Sequence, residues 1–342
     1  MYKTGVFAGK FLPPHRGHIN SIIDSATQCE TLYVVVSSNP DLDNKLCEES
    51  KISVINGKLR TKWLSQELQG FEHIKVILLD ETNIPSYPNG WELWSTKLRS
   101  LIPNHIDVLF GGEKKYKEVN DKWFPDSEYL LYDYGRKRYP VSATLIRNEP
   151  YKYWDYILGS ARPFFAKKVL ITGTESCGKT TITKYLAKIF HTSWSEEFGR
   201  YYSAEYLGGN ESVFIPEDFG RIAYLQYEND MKALRTANRV VFYDTDAVVT
   251  QYYSELYTNQ SCELVERFVD PNRYDVVLLY NTDVIWVDDG LRFTKEQDKR
   301  DSLHKKLLNM YKDRGFENII EISGNYSERL RNSISIVDDL IN

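Results

Sequence analysis

Residues 9–18, GKFLPPHRGH, follow an apolar run and precede a segment with helical spacing, so two histidines three apart stand at a strand-to-helix turn. Such a pair points into one pocket above a helix N-terminus, whose free N–H groups and positive dipole end favour an anion. Gly9 permits close backbone approach, and Pro13 and Pro14 stiffen the loop. His15 and His18 can then donate hydrogen bonds to an α-phosphate as charge builds on it in an in-line transfer, with no covalent intermediate. Lys10, Phe11 and Gly17 complete this expected polyphosphate-contacting loop. A second piece is VSATLIR, residues 141–147: Ser142, Thr144 and a short helix start suit β- and γ-phosphates, and Arg147 suits the leaving pyrophosphate. Between the two lies DETNIPSYPNGWELW, residues 80–94, whose Pro and Asn-Gly punctuation marks a loop at a strand end, where open α/β sheets bind ligands. Trp91 suits stacking on a flat cationic ring, with Asn89 and Asp80 as polar contacts. Trp91 and Trp94, at i and i+3, also suit a helix core face.

The second half carries a different phosphate motif. G-x-x-x-x-G-K-T, residues 173–180, stands directly after an apolar strand and directly before a helical pattern, which is the context a P-loop requires. Gly173, Thr174, Glu175, Ser176, Cys177, Gly178 and Thr181 are expected around the nucleotide, with Lys179 bridging the β- and γ-phosphates and the Thr180 hydroxyl on Mg²⁺. Cys177 reads as a tolerated small residue. The strand-like RVVFYDTD supplies the acidic partners. Asp244 suits a water-mediated metal role and Asp246 the base for an acceptor hydroxyl, although the two can exchange roles and an Asp pair can equally cap the next helix. EEFGRYY, residues 196–202, and WVDDGLRF, residues 286–293, offer Glu197, Arg200, Tyr201, Trp286, Asp289 and Arg292 for a sugar and base. The charge run at residues 295–301, KEQDKRD, reads as a solvated helix face rather than part of a lid.

These motifs need strands to end beside them. Apolar runs at residues 4–9, 32–38, 74–80 and 106–112 alternate with helical spacing, and the alternation restarts at residues 167–173, 239–244, 275–281 and 318–323. That predicts two α/β units in series, each with a parallel sheet. The aromatic stretch ending in Arg162-Pro163 marks the boundary, giving domains 1–162 and 163–342. A length of 342 residues fits two domains. With 43 Lys and Arg against 48 Asp and Glu, the formal charge of −5 supplies no broad basic face for duplex nucleic acid. The apolar runs are strand-sized, so membrane insertion is not expected. Four scattered cysteines build no zinc framework, and with no secretory pattern at the N-terminus they fit a reducing cytoplasm.

G-x-F-x-P-x-H-x-G-H with a distal V-S-x-T-x-x-R resembles the nucleotidyltransferase superfamily that includes the nicotinamide mononucleotide (NMN) adenylyltransferases. The full order of motifs, through GTESCGKTT, EEFGRYYSAEYLGG, FYDTDAVVTQ and WVDDGLRF, is similar to the NadR-type bifunctional proteins. The resemblance implies a Rossmann-like nucleotidyltransferase domain followed by a P-loop nucleoside kinase domain. It also implies a two-step NAD salvage: phosphorylation of nicotinamide riboside at its 5′-hydroxyl, then adenylyl transfer from ATP to NMN. Under it, Asp80, Asn89 and Trp91 face NMN, while Glu197, Arg200, Tyr201, Trp286, Asp289 and Arg292 face the riboside. Gly111 opens a nucleotide-contacting loop, made unusually basic by Lys114, Lys115 and Lys117. ATP serves both halves with Mg²⁺, and the ligands are small molecules with no nucleic acid. Homo-oligomer formation is left open. The first strand begins within a few residues of Met1, so the helix-turn-helix repressor domain of some relatives is not expected. The competing expectation is a kinase whose vestigial N-terminal half only senses NAD or ATP.

Overall fold

The computed structural model describes residues 1–86, 89–133, 135, 137–284 and 296–342. The chain divides into two compact units, Met1–Arg162 and Pro163–Asn342. In the first, β1 (Tyr2–Gly9), β2 (Cys29–Ser38), β3 (Ile74–Asp80), β4 (Val108–Gly111) and β5 (Glu128–Leu131) form a parallel sheet in the order β3-β2-β1-β4-β5. Val34, Val35 and Val36 of β2 are fully buried, the near-continuous apolar run that a strand covered on both faces requires. Val6, Leu79, Leu98 and Leu109 join Val35 in one hydrophobic cluster. The chain steps outward from β1 to β3 and then returns to the other side of β1, which places the switch point between β1 and β4. Crevices at such points hold ligands. Gly9 and Gly111 end the two strands there.

In the second unit, β6 (Lys167–Thr172), β7 (Trp194–Ser195), β8 (Val240–Asp244), β9 (Val276–Tyr280) and β10 (Ile319–Ile322) form another parallel sheet, ordered β10-β9-β6-β8-β7. β6 is central, with Ile171 opposite Asp244 of β8 and Leu278 of β9. Its C-terminus feeds the helix Lys179–Ile189, and β8 feeds the helix Ala247–Thr258. The 20-residue helix Pro216–Arg235 has Pro at its first turn, Glu217 and Asp218 beside it, and Lys232 and Arg235 in its last turn. All four complement the helix dipole.

The eight predicted strands are present, shifted at their ends by a few residues, and the α/β class with two parallel sheets is as expected. Two edge strands were not anticipated. β5 has only four residues and none is fully buried; β7 has two. Neither is long enough for apolar periodicity to register. Among the described residues no helix is long and apolar enough to cross a membrane.

Candidate active sites

The first phosphate loop is built around a stacked histidine pair. His15 is the N-cap of the helix Arg16–Ala26, and its ring lies 3.6 Å from that of His18, centroid to centroid, at 27°. The His15 amide donates to His18 Nδ1 over 3.2 Å, which fixes which nitrogen of His18 is turned away from the turn. Phe11 meets His18 edge-on at 5.0 Å. Gly17 is required by this packing: a Cβ there would stand 3.1 Å from the His15 ring and 3.2 Å from Tyr139 Cβ. Lys10, Phe11 and Gly9 complete the same turn at the end of β1. Gly111 ends the neighbouring β4, where a Cβ would collide with the Tyr129 hydroxyl.

The distal segment reaches this loop, in a different manner from that expected. Ser142 caps the six-residue helix Ala143–Asn148 by accepting from the Leu145 amide at 3.2 Å. Arg147 is 5% exposed, donating to the Leu12 carbonyl at 2.6 Å, to Ser50 Oγ at 3.4 Å and to Thr144 Oγ1 at 3.4 Å. Its planar fork therefore braces the phosphate loop from behind, which limits what it can offer a leaving group. Arg60 does the same from the helix Gly57–Glu67. Fully buried, it donates to the carbonyls of Lys10, Ser37 and Asn56, to Ser38 Oγ and to buried Asp43. Neither brace was legible: Arg147 reads as a ligand of pyrophosphate, and an arginine such as Arg60 in a helical segment reads as solvent-facing.

Trp91 begins the helix Trp91–Leu101 and packs edge-on against Trp94 at 5.2 Å and Tyr116 at 5.5 Å. Trp94 takes the core role, donating its indole N–H to Ser37 Oγ at 3.2 Å. Asp80 ends the outer strand β3 more than half exposed, with its Oδ1 accepting from the Thr82 hydroxyl at 2.6 Å and the Thr82 amide at 2.9 Å. Those bonds, the hydroxyl first, lower its pKa. Asn89 lies in the turn before the Trp91 helix, its amide donating to the Ser86 carbonyl at 3.1 Å. The structure thus separates Asp80 from the histidine pair by two strand widths and leaves Trp91 at the margin of an aromatic cluster.

The second loop has P-loop geometry. Gly173, Ser176 and Gly178 have φ of 148°, 59° and 84°, and a Cβ on Gly173 would strike Cys177 Sγ at 2.7 Å and the Tyr280 carbonyl at 2.8 Å. Only glycine tolerates that approach. Cys177 is buried, its thiol donating to the Thr174 carbonyl at 3.0 Å. Lys179 Nζ, also buried, donates to the same carbonyl at 2.8 Å. Arg329, fully buried, donates to the carbonyls of Cys177 at 2.8 Å, Gly324 at 2.7 Å and Asn281 at 2.9 Å, bracing this loop as Arg60 and Arg147 brace the other. Thr181 is exposed on the following helix.

The two aspartates of β8 separate in role. Asp244 accepts from Thr180 Oγ1 at 2.6 Å, and its other oxygen, Oδ1, is buried without a hydrogen-bond partner among the described residues. Burial, then the nearby Glu197 carboxylate, pushes its pKa up to about 7 against the pull of Lys179. Asp246 instead caps the helix Ala247–Thr258, accepting from the Val249 amide at 3.2 Å and from the Tyr311 hydroxyl at 2.7 Å. Both contacts use its Oδ1, and Tyr311 in turn bonds Thr172 Oγ1 at 2.8 Å, just ahead of the P-loop. The capping alternative thus describes Asp246, and the carboxylates beside Lys179 are Asp244 and Glu197.

A cleft enclosing about 760 Å³ opens from the P-loop, walled at one end by Glu175, Ser176 and Lys179 and further out by aromatic side chains. Glu197 and Arg200 line it. Tyr201 does not: it is more than half exposed and packs on Phe198, because Tyr202, one position on, takes the helix's buried face. Phe214, Phe219 and Tyr257 form a stacked wall, Phe214 lying 5.4 Å from Tyr257 at 18°, and Glu211 accepts from the Tyr257 hydroxyl at 2.6 Å. Gln226 ties the cleft to the sheet, accepting from the Phe198 amide at 2.7 Å while donating to Ser195 and to buried Asp230. These wall residues belong to no sequence motif. Trp286, Asp289 and Arg292 lie outside the described residues.

The comparisons with known proteins agree with this arrangement. Residues 168–329 match the family described as AAA domain. The trifunctional NAD biosynthesis/regulator protein NadR of Salmonella typhimurium is 30% identical, over 98% of this chain and 83% of its own length. Among solved structures, NadR protein in complex with NR superposes with a TM-score of 0.83 at 25% identity, covering 98% of this chain and 95% of that one. NadR protein in complex with NAD and AMP-PNP gives 0.82 at 27% identity, covering 100% and 96%. Similarity that runs unbroken through both units, with a phosphate loop at the switch point of each sheet, is that of whole proteins rather than of one shared module: the chain belongs to the NadR family.

Proposed function

We propose that the protein makes NAD from nicotinamide riboside in two ATP-dependent steps, one in each unit. The observation that carries this reading is the pair of complete phosphate loops, each ending the central strand of its own parallel sheet. In residues 163–342 the riboside 5′-oxygen attacks the γ-phosphorus of ATP, the bond to the β-phosphate oxygen breaks, and ADP leaves with NMN as product. Lys179 holds the β- and γ-phosphates. Asp244 and Glu197 are the carboxylates placed to take the hydroxyl proton, and the apolar and aromatic cleft takes the nucleoside.

Mg²⁺ fits this site. Thr180 and Asp244 stand together, and the unpartnered buried Asp244 Oδ1 suits a bound water of the metal. Bound there with the nucleotide, the ion neutralises charge on the β- and γ-phosphates. Among the described residues no cluster of three His, Cys, Asp or Glu side chains forms a metal cage, in keeping with a cation held mainly through phosphates and water.

In residues 1–162 the NMN phosphate oxygen attacks the α-phosphorus of a second ATP, and pyrophosphate leaves. His15, His18 and the start of the helix Arg16–Ala26 stabilise the charge that develops on the α-phosphate. Arg60 and Arg147 hold the loop rather than the leaving group. Trp91 stacks on the nicotinamide ring. Trp91→Ala is expected to raise KM for NMN by about tenfold, the worth of one aromatic or cation–π contact, with kcat little changed. Initial rates against NMN concentration check this, and an unchanged KM would remove Trp91 from the site.

The reading as a whole is tested by a chromatographic time course of the purified chain with nicotinamide riboside, ATP and Mg²⁺. NMN should appear first and NAD after it. Production of neither would refute the proposal, and NMN without NAD would mark the first unit as a nucleotide sensor.

A further inference from the structure

Arg300 departs from the solvated face expected of its charge run. It lies in the first turn of the helix Gln297–Asp313 and is 5% exposed. Its Nη1 donates to the Val284 carbonyl at 3.2 Å and to Gln297 Oε1 at 3.0 Å. Its Nε and Nη2 are buried and have no hydrogen-bond partner among the described residues. A buried guanidinium with unused donors is costly, and a fold that keeps one gains when a ligand completes it.

The location of Arg300 identifies that ligand. Arg300 lines a cleft of about 550 Å³ whose other wall is the P-loop itself, at Thr174 and Glu175. Thr174 Oγ1, on that wall, is likewise buried without a partner among the described residues. Lys179 Nζ lies 2.8 Å from the Thr174 carbonyl. In a P-loop this lysine reaches the β- and γ-phosphates, so the γ end of the nucleotide lies at Thr174, on the side that faces Arg300. Lys299 and Arg300 set two cations against the one carboxylate of Glu175 along this cleft, an excess of positive charge that suits an anion gripped by Lys179 at the same time.

We infer that Arg300 is a catalytic residue of the kinase step, contacting the γ-phosphoryl group of P-loop-bound ATP through Nε and Nη2. The inference rests on the kinase reading of this unit. As the bond from the riboside oxygen to the γ-phosphorus forms and the bond to the β-phosphate oxygen breaks, the non-bridging γ-oxygens keep their charge, the hydroxyl proton passes to the carboxylate pair, and ADP departs. Arg300 donates to those oxygens. An arginine in this role acts on the transferring group and contributes little to holding ADP.

The test uses the full chain as wild type, Arg300→Ala and Arg300→Lys. Steady-state kinase rates are measured with nicotinamide riboside, and binding of ADP is compared with binding of ADP plus aluminium fluoride. The expected result is a fall of about 10²–10³-fold in kcat for Arg300→Ala. ADP affinity should be retained, and the tightening that fluoride brings should be lost in the alanine variant and partly kept in the lysine variant. The inference is overturned by an unchanged kcat, by a wild type that fluoride does not tighten, or by ADP affinity that falls in step with that of the fluoride complex in both variants, which would assign Arg300 to the fold. The fluoride complex needs no riboside. A wild type that binds it tightly but leaves nicotinamide riboside unphosphorylated would therefore defeat the substrate reading and leave the Arg300 contact standing.

Discussion

Lys179→Ala should stop the chain at nicotinamide riboside while leaving the conversion of NMN to NAD intact, and His18→Ala should do the reverse, letting NMN accumulate. Each change removes one pre-organised donor from a site where charge moves between phosphate oxygens, an effect of about 10²–10³ in kcat. The two side chains serve different nucleotides: Lys179 begins the helix after β6, and His18 lies in the first turn of the helix after β1. Their effects should therefore add without coupling. Chromatography started separately from riboside and from NMN resolves the two steps. A His18 variant that adenylylates NMN at the wild-type rate would return the first unit to the competing role of sensor. A Lys179 variant that still phosphorylates the riboside would displace the P-loop from the reaction.

Both phosphate loops were legible because their geometry is local. Gly173 and Gly178 stand where the backbone enters φ values that favour glycine, and the motif sits between a strand and a helix that periodicity marks independently. His15 and His18 are likewise three residues apart on one turn. The cleft that opens from the P-loop was only half legible. Glu197 and Arg200 come from one short motif, but Glu211, Phe214, Phe219, Gln226 and Tyr257 come from three segments with no shared spacing, and only the fold makes them one wall. Tyr201 failed for a related reason, since a motif identifies residues and the helix phase decides which of them face inward.

The buried arginines show a further limit of reading residue types. Arg60, Arg147 and Arg329 each donate to a backbone carbonyl of a phosphate loop: Lys10, Leu12 and Cys177 respectively. Loops that turn their N–H groups toward a ligand leave carbonyls pointing back into the protein, where each needs a donor. A guanidinium with five N–H groups in a fixed plane can serve several of these at once. Nothing in the spacing of a lone arginine records that service, so the same residue type that reads as surface charge is the support of the site in three places and, at Arg300, faces the P-loop itself.

The kinase step should depend on pH through Asp244. With its pKa pushed up to about 7 by burial and then by Glu197, the free enzyme has this carboxylate largely protonated in mildly acid solution. It must ionise to accept a proton or to hold a metal-bound water, so kcat/KM for the riboside should rise about tenfold per pH unit below that value and level off above it. Saturating Mg²⁺ and ATP, which bring a cation against the carboxylate, should move the inflection of kcat to lower pH. Stability runs the other way. Between the ordinary carboxylate value of 3.8 and about 7 the folded chain binds more protons than the unfolded one, so the ligand-free protein should lose stability as pH rises through that window and change little above it. Asp246, raised to about 6 by burial, contributes in the same direction. Asp244→Asn should remove the inflection from the residual kinase rate and flatten the upper part of the stability profile, whereas Asp246→Asn should alter stability and keep the kinase inflection. Rate profiles and urea midpoints from pH 5 to pH 9 decide the matter. An inflection that survives in Asp244→Asn would pass the proton-accepting role to Glu197, the other carboxylate beside Lys179.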